Sequence, residues 1–452
     1  MADRDVRRDD AHLENAQRDE VAELCWRLIR FDTTNRGAGD AEGERAAAEF
    51  VAARLSDAGL EPKLLERTAG RGNVVARLPG TDPGLDALLV QGHLDVVPAA
   101  EEDWSVPPFS GAVRDGCVWG RGAVDMKDFC AVVLTVLAGW TREGRRPRRD
   151  LVFAFVADEE DHGVEGAHWL VDEHADLFDG CAAAISESGG YTYRVPAADG
   201  RLVHLYPVGT AERGTAHLRL TARGRAGHGS RRNDDNAVTT LVRVLARLTE
   251  QRWPLRLTPA VRAFFERTGT ALSIPVDLTS EAGVDELLRA LGPAAGLAEN
   301  TVRNSTTPTM LSAGYKVNVI PGLAQAQVDT RVLPDTEAEL LAVLDDLLEP
   351  SVRREFVSHS PPVQAAIDSP WFDAMTDALR AEDRDAVVVP YCMGGGTDAK
   401  AFSQLGMDCY GFAPLWLPAG FPYRELAHGV DERVPIDGLR FGVRVLDRFL
   451  SS

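Results

Sequence analysis

Apolar positions recur along the chain in two patterns, and the balance between them shifts near residue 212. Val21, Leu24, Cys25 and Leu28 share one face of a predicted helix. Phe50, Val51 and Leu55 mark a second amphipathic helix, which stops at Gly59 as a C-terminal cap. Short apolar runs then alternate with helical ones. They predict strands over 73–78, 87–90, 151–156 and 182–186 and a long buried helix over 126–140. Strands alternating with helices predict an α/β layer fold, a mostly parallel sheet with helices on both faces. Beyond 212 the order becomes strand 215–222, helix 236–249, strands 309–313 and 324–332, helix 337–348 and strand 355–358. That is a βαββαβ, α+β arrangement. A segment rich in Leu, Ala and Pro, near 251–305, interrupts it, and α/β character resumes from Gln364. The pattern reads as one α/β domain in two pieces, 1–211 and 363–452, interrupted by a small domain over 212–362.

Length agrees with this division, because 452 residues exceed what one ordinary core organises. The balance of 49 basic and 69 acidic residues gives a net charge of −20, which argues against nucleic acid or an anionic membrane as the main partner. The six cysteines are scattered without a C-x-x-C pair, so neither a zinc ribbon nor a disulfide framework is predicted. The N-terminal MADRDVRRDD lacks the apolar core of a signal peptide, and the apolar stretch 129–140 is too short to span a bilayer. A cytoplasmic protein is expected.

In an open α/β sheet, ligands bind at the carboxyl ends of the strands. There the sequence places Gln91-Gly92-His93-Leu94-Asp95, Gly120 to Lys127 with Asp125, Ala157-Asp158-Glu159-Glu160, and Glu187-Ser188-Gly189-Gly190. Taken singly each is ordinary: loop histidines are usually solvated, acidic pairs cap helices, and Asp125 suits an N-cap. Four in succession gather negative charge at one crevice, which a bound divalent cation compensates.

With these motifs in view, the sequence resembles the co-catalytic metallopeptidases that include aminoacylases, carnosine-type dipeptidases, glutamate carboxypeptidases, acetylornithine deacetylases and succinyl-diaminopimelate desuccinylases. The carrying motifs are QGHLDVVP (91–98), GRGAVDMK (120–127), ADEEDHGVEGA (157–167), SESGG (186–190), GHGS (227–230), NVIPG (318–322), DTRVLPD (329–335), GGGTDAK (394–400) and AHGVDERVP (427–435).

The resemblance implies a catalytic domain holding two divalent ions, with 212–362 as a lid and dimerisation domain. It implies His93, Asp125 and Glu187 on one ion and Asp125, Glu160 and His428 on the other, with Asp125 bridging, Asp95 orienting His93 and a cis peptide after Asp125. Imidazole and carboxylate ligands suit zinc, and also cobalt or manganese. Glu159 is implied as general base and His228 as an oxyanion donor, supplied by the partner subunit in dimeric members. Arg331 with Asn318 resembles the pair that holds a substrate carboxylate, and Gly395, Gly396 and Thr397 a loop that lets substrate approach the backbone. The implied reaction is hydrolysis of an amide bond in a dipeptide or N-acyl amino acid. A non-catalytic binding protein and a family member that forms amides in its pathway are the alternatives. Two features depart from the family: Arg231 and Arg232 follow GHGS where proline is common, and the 251–305 segment is longer than in compact members.

Overall fold

The computed structural model describes residues 19–452; the N-terminal decapeptide discussed above lies outside them. A ten-stranded sheet dominates. Its order is Lys63–Glu66, Gly72–Leu78, Leu151–Val156, Ala87–His93, Cys181–Ser186, Asp408–Gly411, Leu202–Glu212, Val363–Gln364, with Ala386–Met393 and Tyr193–Pro196 also pairing on Leu202–Glu212. The centre is parallel, from Leu151–Val156 through Ala87–His93 and Cys181–Ser186 to Asp408–Gly411. The carboxyl ends of these strands therefore share one edge.

Side-chain alternation explains why helices cover both faces. Leu88 and Val90 point into one core with Phe153 and Phe155, whereas Leu89 points into another with Val152 and Val156. The first core takes helices Glu20–Ile29, Lys127–Glu143 and Ile436–Ser451; the second takes Ala167–Glu173. Helix Lys127–Glu143 ends where Gly144 adopts φ 66°, a left-handed turn that suits glycine. Strand Leu202–Glu212 escapes sequence reading because it contains Pro207 and is buried on both faces, so it shows no alternation.

A second sheet is antiparallel, in the order Ser305–Ala313, Leu323–Val332, Gly214–Arg223, Val352–Ser360. Gly214–Arg223 alternates buried and half-exposed residues. The buried side meets helices Ala237–Glu250 and Glu337–Leu347 through Leu218, Leu220, Leu241, Val244 and Leu340. Asn236 caps the first helix by accepting from the Val238 and Thr239 amides. This is the expected βαββαβ order, with Ser305–Ala313 starting earlier than predicted.

The inserted segment falls elsewhere than its place in the sequence suggests. Helices Pro259–Leu272 and Glu281–Ala290 pack Phe264, Phe265 and Leu287 against Leu205, Val389 and Tyr391 of the ten-stranded sheet. Burying each phenylalanine contributes about 1.5–3 kcal/mol. Among the described residues, no helix is long and apolar enough to cross a membrane.

Candidate metal centre

Three parallel strands end at one point. Ala87–His93 delivers His93, Leu151–Val156 runs into Glu159 and Glu160, and Cys181–Ser186 is followed by Glu187. Asp125 precedes helix Lys127–Glu143, with a cis peptide between Asp125 and Met126. His428 arrives from a loop far along the chain. Asp158, Ser188 and His428 hold φ of 71°, 67° and 60°. For residues other than glycine such values cost about 1–3 kcal/mol each, so the surrounding contacts must impose them.

The contacts converge on Asp125. Its Oδ1 lies 3.0 Å from His93 Nε2 and its Oδ2 lies 3.1 Å from His428 Nε2. Glu160 Oε2 is also 3.1 Å from His428 Nε2, and Glu187 Oε1 is 4.0 Å from His93 Nε2. Ligand atoms of His93, Asp125 and Glu160 lie within 4.8 Å of one another, as do those of His93, Glu159 and Glu187.

Asp95 stands against both His93 and the acidic pair. The imidazole Nδ1 of His93 meets the backbone carbonyl of Asp95 at 3.0 Å, while the Asp95 carboxylate is 3.5 Å away. That carboxylate accepts the amides of Glu159 and Glu160, each at 3.1 Å, and the Asn35 side chain at 2.9 Å. It fixes the acidic pair against the strand end while standing beside the imidazole.

The electrostatics suit a cation. Burial, and then the neighbouring Glu187, push Glu159 well above the usual carboxylate range. Burial and Asp125 do the same to Glu187. Burial also raises Asp125, but hydrogen bonds from His428 and His93 outweigh it and hold that carboxyl below its usual value. The hydrogen bonds to Asp125 and Glu160 raise His428 to about 10. Glu160 Oε1 is buried with no hydrogen-bond partner, an arrangement that is costly unless something else occupies that oxygen. Cys130 lies nearby, its thiol 3.6 Å from the His93 carbonyl, but burial pushes it up to about 12 and leaves it protonated. The donor set is thus imidazole and carboxylate, and it fits divalent ions of the zinc, cobalt or manganese kind.

Beneath the ligands lies a buried scaffold whose pairings sequence reading did not assign. Glu432 pairs with Arg121 at 2.7 Å and accepts the amides of Gly122, Val124 and Asp125 at 3.0, 2.7 and 3.2 Å. Arg71 binds Glu44 through two nitrogens and reaches Asp158 at 2.8 Å. Asn35 bridges Asp95 and Asp158. Gln91 donates to the buried Asp398 at 2.7 Å, whose carboxyl burial raises to about 8. The AHGVDERVP and GGGTDAK motifs contain Glu432 and Asp398, so both residues were visible in the sequence.

The remaining predicted residues lie apart. His228 and Asn318 sit together and exposed at the ribbon Gly227–His228 with Val319–Ile320, and the His228 Nδ1 meets the Ser230 hydroxyl at 2.8 Å. Arg331 is paired with Asp329 at 2.7 Å. Among the described residues, no hydrogen bond or ion pair joins these three to the His93–His428 cluster. Thr397 donates its hydroxyl and amide to Glu212 at 2.6 and 3.1 Å. Gly395 has open space where a Cβ would sit, whereas a Cβ on Gly396 would lie 2.3 Å from the Lys400 side chain. A cavity of about 200 Å³ opens beside Asp125 and Glu187, next to Gly394.

Residues 89–452 match peptidase family M20/M25/M40. The chain belongs to that family. It is a hydrolase. This M20 chain is 27% identical over 401 residues to the N-fatty-acyl-amino acid synthase/hydrolase of Mus musculus, covering 83% of this chain and 76% of that protein. It is 28% identical over 419 residues to aminoacylase-1 of Sus scrofa, covering 90% and 89%. Its fold matches an M20 family metallo-carboxypeptidase from Sulfolobus solfataricus with a TM-score of 0.70 at 17% identity, over 96% of this chain and 99% of that one.

Proposed function

We propose that this M20 hydrolase cleaves the amide bond of an N-acyl amino acid or dipeptide carrying a free carboxylate. The observation that carries this reading is the Asp125 carboxylate, one oxygen toward each of two histidines, amid Glu159, Glu160 and Glu187. His93, Asp125, Glu160, Glu187 and His428 are the residues that would hold two divalent ions, zinc first. When bound, the ions would supply Lewis acidity toward the scissile carbonyl and acidify a water.

Glu159 takes a proton from the attacking water and passes it to the leaving nitrogen. Its position supports this role: its amide is pinned by Asp95, and its side chain shares a sphere with His93 and Glu187. His228 donates to the developing oxyanion from the partner subunit of a homodimer. Its exposure, and its lack of contact with this chain's own cluster, support supply in trans. Arg331 with Asn318 holds the substrate carboxylate, and Gly395, Gly396 and Thr397 border its path. In this reading 212–362, apart from the inserted helices, is the lid and dimerisation unit. Six free thiols fit a cytoplasmic setting.

Purified protein given zinc, cobalt or manganese and a panel of dipeptides and N-acyl amino acids tests the reading. Release of free amino acid is expected, and no cleavage of any member rejects it. Likeness to a synthase/hydrolase favours a second reading, amide formation, which the same assay run from acid and amine toward equilibrium tests.

A further inference from the structure

The cavity beside Asp125 and Glu187 has walls that serve no metal. Tyr191 and Tyr423 stand with ring centroids 4.6 Å apart, and Tyr391 lines the same space while donating its hydroxyl to the Ser188 carbonyl. Met393 continues that wall. Part of the lining comes from the inserted segment, through Gly296, Leu297, Asn300 and Thr301, and Leu297 belongs to the same buried cluster as Tyr391. The segment therefore packs on the large sheet and borders the chamber beside Asp125 and Glu187.

Size and chemistry restrict the occupant. A cavity of about 150 Å³ lined by apolar side chains accommodates benzene. The present volume of about 200 Å³ takes a ring on a short tether, with Asn300 and Thr301 bordering it beside the apolar side chains. Arg424 lines the chamber, is exposed, and makes no ion pair among the described residues; its Nη1 lies 3.1 Å from where a Cβ on Gly296 would sit. A guanidinium so placed can lie against an aromatic face.

Resting on the amide-hydrolase reading above, we propose that this chamber is the acyl-specificity pocket, that it takes an aromatic acyl group of about phenylacetyl size, and that residues 259–302 supply the wall that sets the size limit. The amino-acid half is left to Arg331 and Asn318, which lie outside the chamber.

The test compares kcat/KM for N-acetyl, N-phenylacetyl and N-succinyl conjugates of one amino acid, using zinc-loaded full-length protein. Wild type should prefer phenylacetyl over acetyl by at least tenfold. Gly296→Phe, at a position of ordinary φ with only the mobile end of Arg424 nearby, should lower the phenylacetyl-to-acetyl ratio about tenfold. Met393→Ala should raise the relative rate on a larger naphthylacetyl conjugate, giving a second reading independent of how well the first variant folds. Cleavage of all conjugates with ratios unchanged in both variants overturns the chamber alone. A succinyl preference that disappears in Arg424→Gln overturns the aromatic assignment in favour of an acidic acyl group. Cleavage of none of the conjugates by wild type, together with turnover of dipeptides, rejects the acyl pocket but not the hydrolase; failure on every amide rejects both.

Discussion

Glu159 and Glu160 are neighbours with identical side chains, yet they stand in different surroundings. Glu160 meets His428 at 3.1 Å and keeps one oxygen without a partner, while Glu159 lies beside Glu187 and His93 with its amide pinned by Asp95. Disturbing Glu159 and disturbing the partner of Glu160 should therefore do different things. Glu159→Gln is expected to retain two ions by mass-spectrometric metal analysis and to lose about 10²–10⁴ in kcat, the usual contribution of a positioned acid–base group. Full activity in that variant rules out Glu159 as the base. His428→Ala should instead lose metal, because it removes the one imidazole shared by Asp125 and Glu160. Adding zinc to stripped wild type should restore activity and raise the melting temperature, and a thousandfold excess over Kd adds about 4 kcal/mol. The same ion should give much less stabilisation to His428→Ala.

At the scale of elements, the loops that carry the ligands are held by parts of the chain distant in sequence. Glu432 accepts three consecutive-region amides around Asp125 from 307 or more residues away and is paired with Arg121. Glu432→Ala leaves that buried guanidinium without its carboxylate. A destabilisation of about 3–5 kcal/mol is expected in denaturant unfolding, with metal affinity weakened as the Asp125 loop loosens. Unchanged stability would show that Arg121 finds another partner. These supports explain what was legible beforehand. His93, Glu160 and Glu187 could be placed at one sheet edge because each ends or follows a strand within a few residues, and Asp125 was legible as the residue ahead of a helix, whereas the roles of all four as ligands came from the family resemblance. The hold of Glu432 on the Asp125 loop, and of Arg71 on Glu44 and Asp158, depends on tertiary packing that no local period records. Strand Leu202–Glu212 was hidden by Pro207 and by burial on both faces. The amphipathic helices of the insertion declared that they bury a face, but not which sheet they bury it against.

For the whole molecule, the proposed role of His228 requires a second copy of the chain to complete each site. The four-stranded sheet ends in Ser305–Ala313, an edge strand with Met310 60% and Leu311 61% exposed, followed by Tyr315 at 83%. An exposed apolar edge invites pairing with another chain. If two copies pair there and His228 crosses to the partner's metal centre, two inactive variants should complement each other. A hybrid of Glu159→Gln and His228→Ala subunits has one site carrying both lesions and one carrying neither. Random exchange makes about half the dimers hybrid, so the mixture should recover about one quarter of wild-type activity in a symmetric twofold assembly. Leu311→Asp should shift the protein toward monomer in analytical ultracentrifugation and abolish that recovery. Recovery absent while labelled subunits demonstrably exchange would mean that His228 does not act in trans. A Leu311→Asp monomer with undiminished turnover would lead to the same conclusion by an independent route, since such a chain would need no partner to finish its site.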